Sequence, residues 1–433
     1  MARPSVVARL TLVFVLVLLT IAPAAAQTAE GDSVRSRARP EFAPLGLELD
    51  ELVGSVGLMD RKTVKDKSSP LSSFVVFPKL ELAANYESNL FRDDTRQVDR
   101  IAVISPGLAV RSDWQNHSLE FAIAADIGRH DRHPSEDYDD VRATANGRFD
   151  VADNLQLNGL AEVGQAHLKR GTLLDNGRTT AAVVFYQSVV GFGGQYTVDR
   201  LLVRPQFKAT GEDYLSSAGQ NNDDLDRVVA EVSTRVAYEW LPGTALFVEP
   251  SYNNRKYGLR RDFSGLLQDS HGYQLLAGVT WDVSGVTFLE FGTGYLRQEF
   301  DEPTFSTIQG PALSGRFVWN PLDSITVDLR LMRNVQERRG QNLAGVLVTS
   351  AKSRIDYELF YNVILSLMFD YANEDDKSTP RDDDRFNTGF EARYLVDQNW
   401  YAGLVASYEK LNSNEDGNSF SNVLVSLRVG AQL

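Results

Sequence analysis

The 433-residue chain contains no cysteine, and it has few histidines and tryptophans, five of each. The lack of cysteine excludes disulfides, zinc–thiolate centres, cysteine nucleophiles and a lipid-anchored cysteine at the N-terminus. Basic residues are in deficit, with 44 Lys and Arg against 58 Asp and Glu. Because nucleic-acid binding needs a basic surface, this balance argues against a nucleic-acid partner.

Long apolar runs are also scarce, and the one present lies at the N-terminus. Residues 10–21 are uncharged and apolar, Arg3 and Arg9 flank the start, and Ala24 and Ala26 form a small-residue cleavage site. These features predict a secretory signal peptide over residues 1–26. No other long apolar run follows, so no membrane-spanning helix is predicted. Export without cysteine suits a bacterial envelope protein, and the mature chain retains 42 basic against 58 acidic residues.

Residues 27–76 differ in composition from the rest of the chain. They are rich in charge, serine and proline, as in "DRKTVKDKSSPLSS", and they have no sustained hydrophobic period. Such composition favours a segment without a packed core. We therefore predict a flexible periplasmic tail over residues 27–76.

From Phe77 to Leu433 the sequence alternates between apolar and polar residues. The last segment, "SNVLVSLRVGAQL", has apolar residues at 423, 425, 427, 429, 431 and 433, with mostly polar residues between them. Period-two alternation indicates a strand with two different faces. Eight short turns and nine longer polar loops alternate along this region and separate eighteen strands. The even count leaves both chain ends on the turn side, where the last strand can pair with the first, at 77–87, and remove both sheet edges.

The predicted fold is all-β: a transmembrane, antiparallel, up-and-down β-barrel over residues 77–433 with eighteen strands. Sixteen strands is the alternative, because two segments fit the pattern poorly. The stretch "TTAAVVFYQSVVGFGGQYTVD" is apolar on both faces, and "TALFVEPSYNNRKY" contains Pro250, which cannot donate to a strand ladder.

Aromatic residues favour a membrane setting over a soluble sandwich, which would also alternate. All five tryptophans lie within three residues of a short turn and share the parity of the apolar face. Tyrosines occupy the loop-side ends of five strands. Two aromatic rings at the lipid–water boundaries are typical of outer-membrane barrels. The predicted interface belt is Trp114, Trp240, Trp281, Trp319 and Trp400, with Tyr86, Tyr252, Tyr295, Tyr371 and Tyr408 at the opposite boundary.

Short motifs near the start of the barrel resemble the outer-membrane beta-barrel porin 2 family. They are Tyr86-Glu87-Ser88-Asn89, Ser105-Pro106-Gly107 and Arg111-Ser112-Asp113-Trp114, within a match over about residues 72–125. The resemblance implies a bacterial outer-membrane barrel, often encoded beside exopolysaccharide or capsule export genes. It implies no catalytic residues. Outer-membrane barrels usually end on Phe or Trp for recognition by the assembly machinery, whereas this chain ends on Leu433, which retains the apolar parity.

The polar faces of the strands supply the candidate pore-lining residues. These faces would look into a barrel wide enough to hold water. Their basic members would form a track for an anionic polymer, or would be paired with the carboxylates that share these faces in a lining of mixed sign. The candidates are Arg111, Arg142, Arg148, Arg204, Lys208, Arg227, Arg235, Arg316, Arg330, Lys352, Arg354, Arg393 and Arg428.

Other candidate sites carry weaker signals. His130 and His133 in "HDRH" have metal-ligand chemistry but lie in a polar loop, where surface residues are the simpler reading. A hydrolase would need a histidine beside a positioned serine, and no such set stands out, even around His271. Phe91 is apolar in a polar loop and would either fold inward and narrow the pore or pack locally. We therefore predict no catalytic site, no metal site and no cofactor.

The sequence thus predicts a non-enzymatic barrel that provides a passage across the bacterial outer membrane, with a role in exopolysaccharide or capsule export. The alternatives are a plugged barrel acting as a surface scaffold and a general diffusion porin. The expected partners are outer-membrane lipid and lipopolysaccharide, the barrel assembly machinery, polysaccharide and periplasmic export proteins.

Overall fold

The computed structural model describes residues 73–432, except 176, 178, 179, 283–285 and 340–344. Eighteen antiparallel strands form one sheet in which each strand pairs with its neighbours in the chain. The strands are β1 Phe74–Glu87, β2 Asp99–Ser112, β3 His117–His130, β4 Tyr138–Ala152, β5 Leu155–His167, β6 Val184–Val198, β7 Leu201–Tyr214, β8 Arg227–Leu241, β9 Thr244–Tyr257, β10 Ser270–Asp282, β11 Thr287–Phe300, β12 Ile308–Leu322, β13 Ile325–Gln336, β14 Val346–Phe360, β15 Val363–Asp376, β16 Asp382–Leu395, β17 Trp400–Ser413 and β18 Phe420–Gln432.

The first and last strands close the sheet into a barrel. β1 pairs with β18 from Lys79↔Gln432 to Glu87↔Leu424, and with β2 along its full length. No sheet edge is left between the two ends, which removes the open backbone groups that a free edge would present. The predicted eighteen-strand up-and-down barrel is confirmed. Among the described residues, no helix is long and apolar enough to cross a bilayer.

Several strand boundaries differ from the sequence prediction, as two examples show. β1 begins at Phe74 rather than Phe77, because residues 74–76 pair with residues 110–112 of β2. β12 runs to Leu322, which pairs with Ile325, so the turn lies at 323–324, whereas the sequence "NPLD" predicts it at 320–323.

Proline within strands is accommodated by gaps in one of the two ladders. Pro250 in β9 pairs with Leu275 of β10, but the pairing with β8 is interrupted between Ser233↔Ser251 and Val236↔Val248. The β2–β3 and β6–β7 ladders are interrupted beside Pro106 and Pro205. Because proline has no N–H to donate, an interruption of the ladder beside proline loses fewer hydrogen bonds than one elsewhere in a strand. The sixteen-strand alternative is therefore wrong.

A contact between non-adjacent strands identifies the interior face. Arg235 on β8 lies 2.7 Å from Glu290 on β11, three strands further round the wall. Adjacent strands are about 4.8 Å apart, so these side chains meet only by crossing the inside of the curve. The ladder registers extend this face to every strand. On β18 it includes Asn422, Ser426 and Arg428, while Val423, Leu427 and Val429 point outward and are exposed.

Outward aromatic residues mark both ends of the wall. Trp240, Trp281, Trp319 and Trp400 lie at the turn ends of their strands and are 42–62% exposed. Trp114 lies outside the strands, in the β2–β3 turn, and its ring packs edge-on against Phe74. The outward tyrosines at the loop ends, Tyr86, Tyr252, Tyr295, Tyr371 and Tyr408, are also exposed.

Candidate functional site: the interior and its mouth at the loop ends

All thirteen basic residues predicted to line a pore lie on the interior face. Ten of them form ion pairs with interior carboxylates, and Arg204 donates to Gln195. Lys208 and Lys352 lie opposite Glu231 and Asp370 in the ladders. The pairs are Arg111–Glu120, Arg142–Glu162, Arg148–Asp150, Arg227–Glu212, Arg235–Glu290, Arg316–Asp328, Arg330–Asp328, Arg354–Asp356, Arg393–Glu391 and Arg428–Glu81. The interior therefore carries charges of both signs. This agrees with the second interpretation given above, in which the basic residues are paired with carboxylates on the same faces.

An aromatic ring narrows the interior beside Arg235. Phe247 on β9 lies against Gly278 and Gly292, where a Cβ would come within 2.6 and 3.0 Å of the ring. The Arg235 guanidinium covers the ring at 4.2 Å and also binds Glu249 and Glu290. The glycines let the ring lie flat on the wall, so that Arg235 is held between an aromatic face and two carboxylates.

A short segment after β13 leaves the wall and enters the mouth of the barrel. This 337–339 segment consists of Glu337, Arg338 and Arg339. Arg255 on β9, four strands away, donates to the carbonyl of Val335 at 2.9 Å and pairs with Glu337 at 3.1 Å. Burial alone would raise the pKa of Glu337, but the Arg255 and Arg227 guanidinium groups outweigh burial and hold this pKa below its usual value.

Arg338 and Arg339 tie this segment to three other parts of the mouth. Arg338 is buried and binds Glu374 on β15 at 3.0 Å and Asp383 on β16 at 2.5 Å. The Arg339 guanidinium donates to Asn222 and Asp224 in the β7–β8 loop at 2.9 and 3.0 Å. Its backbone N–H donates to the carbonyl of Leu173 at 3.0 Å.

Leu173 belongs to a second segment that crosses the mouth, the 168–175 segment after β5. Arg170 in this segment forms a buried ion pair with Glu136, and its guanidinium lies over the Phe91 ring at 5.4 Å. Arg385 on β16 donates to the carbonyl of Gly171 at 2.8 Å. Phe91 also packs against the buried cluster of Leu90, Ile101 and Val103, so it contributes to local packing beneath this segment.

The two segments start from nearly opposite sides of the barrel. An eighteen-strand barrel with strands about 4.8 Å apart and tilted by about 40° is roughly 35 Å across between backbones. The 168–175 segment follows β5 and the 337–339 segment follows β13, eight positions apart in a ring of eighteen. Their contact at Leu173 and Arg339 therefore spans the mouth at the long-loop end of the barrel.

Sequence reasoning missed these segments because it treated the long loops as solvated. The acidic run at 382–384 belongs to β16, which begins at Asp382, and Asp383 is fully buried in ion pairs with Arg338 and Arg381. The signal that was present is the adjacent pair Arg338-Arg339, which follows Glu337 in the loop after β13.

The histidines of the weaker candidate sites are dispersed. His133 Nδ1 lies 2.8 Å from Asp99, whereas His130 lies 3.5 Å from Asp137. His271 points outward from β10, 3.6 Å from Glu299. Over the described residues, no group of three or more histidine, aspartate or glutamate side chains is arranged to hold a metal ion.

One carboxyl group at the mouth has a strongly shifted pKa. Burial, together with the nearby carboxylates of Asp213, Asp223 and Asp224, raises the pKa of Asp226 in the β7–β8 loop to about 7, although the backbone N–H of Tyr214 acts in the opposite direction. The folded loop therefore binds a proton that the unfolded chain releases above about pH 4. This contribution to stability is fully present below about pH 4 and is lost as pH rises through about 7.

We expect Asp226→Asn to slow proteolysis within residues 215–226 at about pH 8.5 and to have little effect at about pH 4, because the amide mimics the protonated acid. Limited proteolysis at the two pH values measures this. Asp416→Asn, at an exposed position in the β17–β18 loop, is the control. If Asp226→Asn slowed proteolysis equally at both pH values, the raised pKa of Asp226 would be contradicted.

The closed wall, its apolar exterior and its charged interior define an outer-membrane porin-like barrel. The chain belongs to the family described as "Putative beta-barrel porin 2", whose family model matches residues 69–433. The resemblance noted at residues 72–125 therefore extends over the whole barrel. The protein is located in the outer membrane, in contact with its lipid and lipopolysaccharide.

Solved structures with similar folds are outer-membrane proteins. The outer membrane protein OpdK from Pseudomonas aeruginosa is 12% identical, with a TM-score of 0.45, over 83% of this chain and 99% of that chain. Pseudomonas aeruginosa OccK2 (OpdF) in complex with glucuronate is 11% identical, with a TM-score of 0.46, over 83% and 98%. Acinetobacter baumannii OccAB4 is 11% identical, with a TM-score of 0.45, over 84% and 100%. No curated protein sequence matches the chain.

Proposed function

We propose that the protein provides a passage for small hydrophilic solutes across the outer membrane, as in the general-porin alternative. The observation that carries this proposal is the charged interior, exemplified by Arg316, Asp328 and Arg330, inside a wall whose exterior is apolar. Ion-paired side chains in an enclosed space retain water, which a solute crossing the membrane requires. The thirteen basic residues, with their carboxylates, would line this passage. The role requires no catalytic group.

The position in the bilayer follows from the outward aromatic residues. The exposed tryptophans at the turn ends would lie at the periplasmic boundary, and the exposed tyrosines at the loop ends at the outer boundary. In this orientation the predicted tail, which begins at residue 27 and precedes β1, would be periplasmic after cleavage of a signal peptide over residues 1–26. Residues 1–72 lie outside the described part of the chain. The assembly machinery and an export protein remain proposed partners.

We expect discrete conductance steps when the purified mature chain is inserted into planar lipid bilayers, because a hydrated interior conducts ions. A chain lacking residues 27–72 should also conduct, since every described strand is retained. Single-channel recording measures both. A folded barrel, verified by its heat-dependent migration in gels, that gave no steps with either chain would contradict the passage.

A second candidate is the plugged barrel that acts as a surface scaffold. The contact of the 168–175 and 337–339 segments across the mouth favours it, because a permanently spanned mouth would block solutes. Exopolysaccharide export is the third candidate, motivated by the family resemblance alone. Loss of secreted polymer in a deletion strain would support export, and an unchanged amount of polymer would argue against it.

A further inference from the structure

We propose that the 168–175 and 337–339 segments form an electrostatic latch that favours the closed state of the extracellular mouth in a closed–open equilibrium, and that it opens without unfolding the barrel. The inference rests on the proposed passage, because a latch controls entry to the interior. In each segment, apolar side chains at or beside its ends pack against the wall, and we call these ends the bases. The tips, which include Gly171 in one segment and Arg338 in the other, make charged and polar contacts. That division is what allows the tips to be released while the bases stay in place.

The bases are packed into apolar clusters. At the 168–175 segment, Leu168 and Leu174 pack against buried Val183, Tyr214 and Leu225. At the 337–339 segment, the flanking Val335 and Leu347 belong to a cluster that includes Phe247, Leu276 and Ile308 of the wall. Apolar burial is not weakened by changes of charge, so these bases act as fixed hinges.

The tips meet the wall at one shared carboxylate. Glu374 on β15 is 4% exposed and pairs with both Arg338 and Arg385, at 3.0 Å each. Arg338 belongs to one tip, and Arg385 holds the carbonyl of Gly171 in the other. The two tips therefore share one electrostatic anchor.

The anchor continues through a chain of alternating charges. Arg385 also pairs with Glu409 at 2.6 Å, and Glu409 pairs with Arg92 in the β1–β2 loop at 3.1 Å. On the other side, Asp383 pairs with Arg338 and Arg381. Removing one member of such a buried network leaves its partners without full compensation. Loss of Arg338 detaches the 337–339 tip from the shared carboxylates Glu374 and Asp383 and leaves Arg381 and Arg385 to neutralise them. The contacts of Glu337 and Arg339 remain, so this loss weakens the latch.

The first test measures access to the interior and does not depend on conductance. The chain has no cysteine, so Lys352→Cys, at an exposed position on the interior face of β14, introduces a single thiol. On intact cells, this thiol is challenged with a maleimide reagent too large for general porins. We expect labelling to become about tenfold faster when Arg338→Gln is added, because loss of the pair shifts the closed–open equilibrium by about an order of magnitude.

Two matched variants accompany Arg338→Gln. Arg381→Gln removes a guanidinium that shares Asp383 but lies outside both tips, so labelling should stay at the Lys352→Cys rate. Arg338→Lys retains the charge and should keep labelling slow. Equal labelling in the Arg338→Gln and parent chains, with folded barrels verified by migration, would overturn the latch.

The second test locks the tips and measures conductance. Because the Arg339 N–H donates to the Leu173 carbonyl at 3.0 Å, the double variant Leu173→Cys/Arg339→Cys introduces two thiols on residues whose backbones are in direct contact. We expect low conductance after oxidation and a reversible, severalfold increase after reduction, with neither single cysteine variant responding. Conductance that is the same in the oxidised cross-linked chain and the reduced chain would overturn the latch.

The two readouts separate the latch from the passage. Faster labelling of Arg338→Gln without conductance in any variant would overturn the passage and leave the latch standing. Conductance in the parent chain that neither Arg338→Gln nor the cross-link changes would overturn the latch and leave the passage standing.

Discussion

Replacing Leu427 by arginine is expected to destabilise the folded barrel by about 2–4 kcal/mol. Leu427 lies in the middle of β18, points outward and is 61% exposed. Its ladder partners are Ala84 of β1 and Leu404 of β17, also on the outward face. At this depth the arginine guanidinium would lie among lipid tails in the folded barrel, because the side chain is too far from either lipid–water interface to reach it. Chemical denaturation in lipid vesicles, followed by gel migration, measures the loss.

Leu424→Arg is the matched control, because Leu424 lies on the opposite face of the same strand. It faces the interior opposite Glu87, where an arginine meets water and a carboxylate. We expect a change in unfolding free energy near zero. Equal losses for the two arginine variants would show that both faces meet the same environment, which contradicts a membrane barrel.

The second large loss of folding stability is expected when a side chain is added at Gly294 on β11. A Cβ at this position would lie 1.8 Å from the carbonyl oxygen of Leu275 and 3.1 Å from the Cα of Leu276. Both obstacles are backbone atoms of β10, so the strands themselves would have to move apart. Gly294→Ala is therefore expected to cost about 3 kcal/mol, the upper end for overpacking.

The same denaturation experiment tests this expectation. Gly159→Ala on β5 is the matched control, because no atom lies within 4 Å of the Cβ that it would add. It should leave the unfolding midpoint nearly unchanged. A midpoint for Gly294→Ala equal to that of Gly159→Ala would mean that β10 and β11 are not in close contact at this position.

The wall of the barrel was predictable because the strand period is two. Alternation at residues such as Leu119, Glu120 and Phe121 distinguishes the two faces from neighbouring residues alone, and turns and loops count the strands. The strand that contains Pro250 was ambiguous because proline interrupts the local alternation pattern. Only the structure shows that β9 accommodates this proline, through a gap in its ladder with β8. The interior position of the thirteen basic residues follows from parity.

The pairing of those residues was not predictable to the same degree. Arg235 and Glu290 are 55 positions apart and meet because the wall curves. The mouth was less predictable still, because loops have no hydrophobic period and their charged residues look like solvated surface. Arg338 acquires its role from Glu374 and Asp383, which β15 and β16 bring to the same place.

By itself, the sequence determined that the chain forms a closed barrel wall with a polar inside and an apolar outside, and it left eighteen or sixteen as the number of strands. Each strand carries that information in its own alternation, so no distant contact is needed to read it. Only the tertiary structure decided that two loops cross the mouth and which charges hold them there. That outcome depends on distances between segments far apart in the chain, and these are fixed only once the barrel has closed.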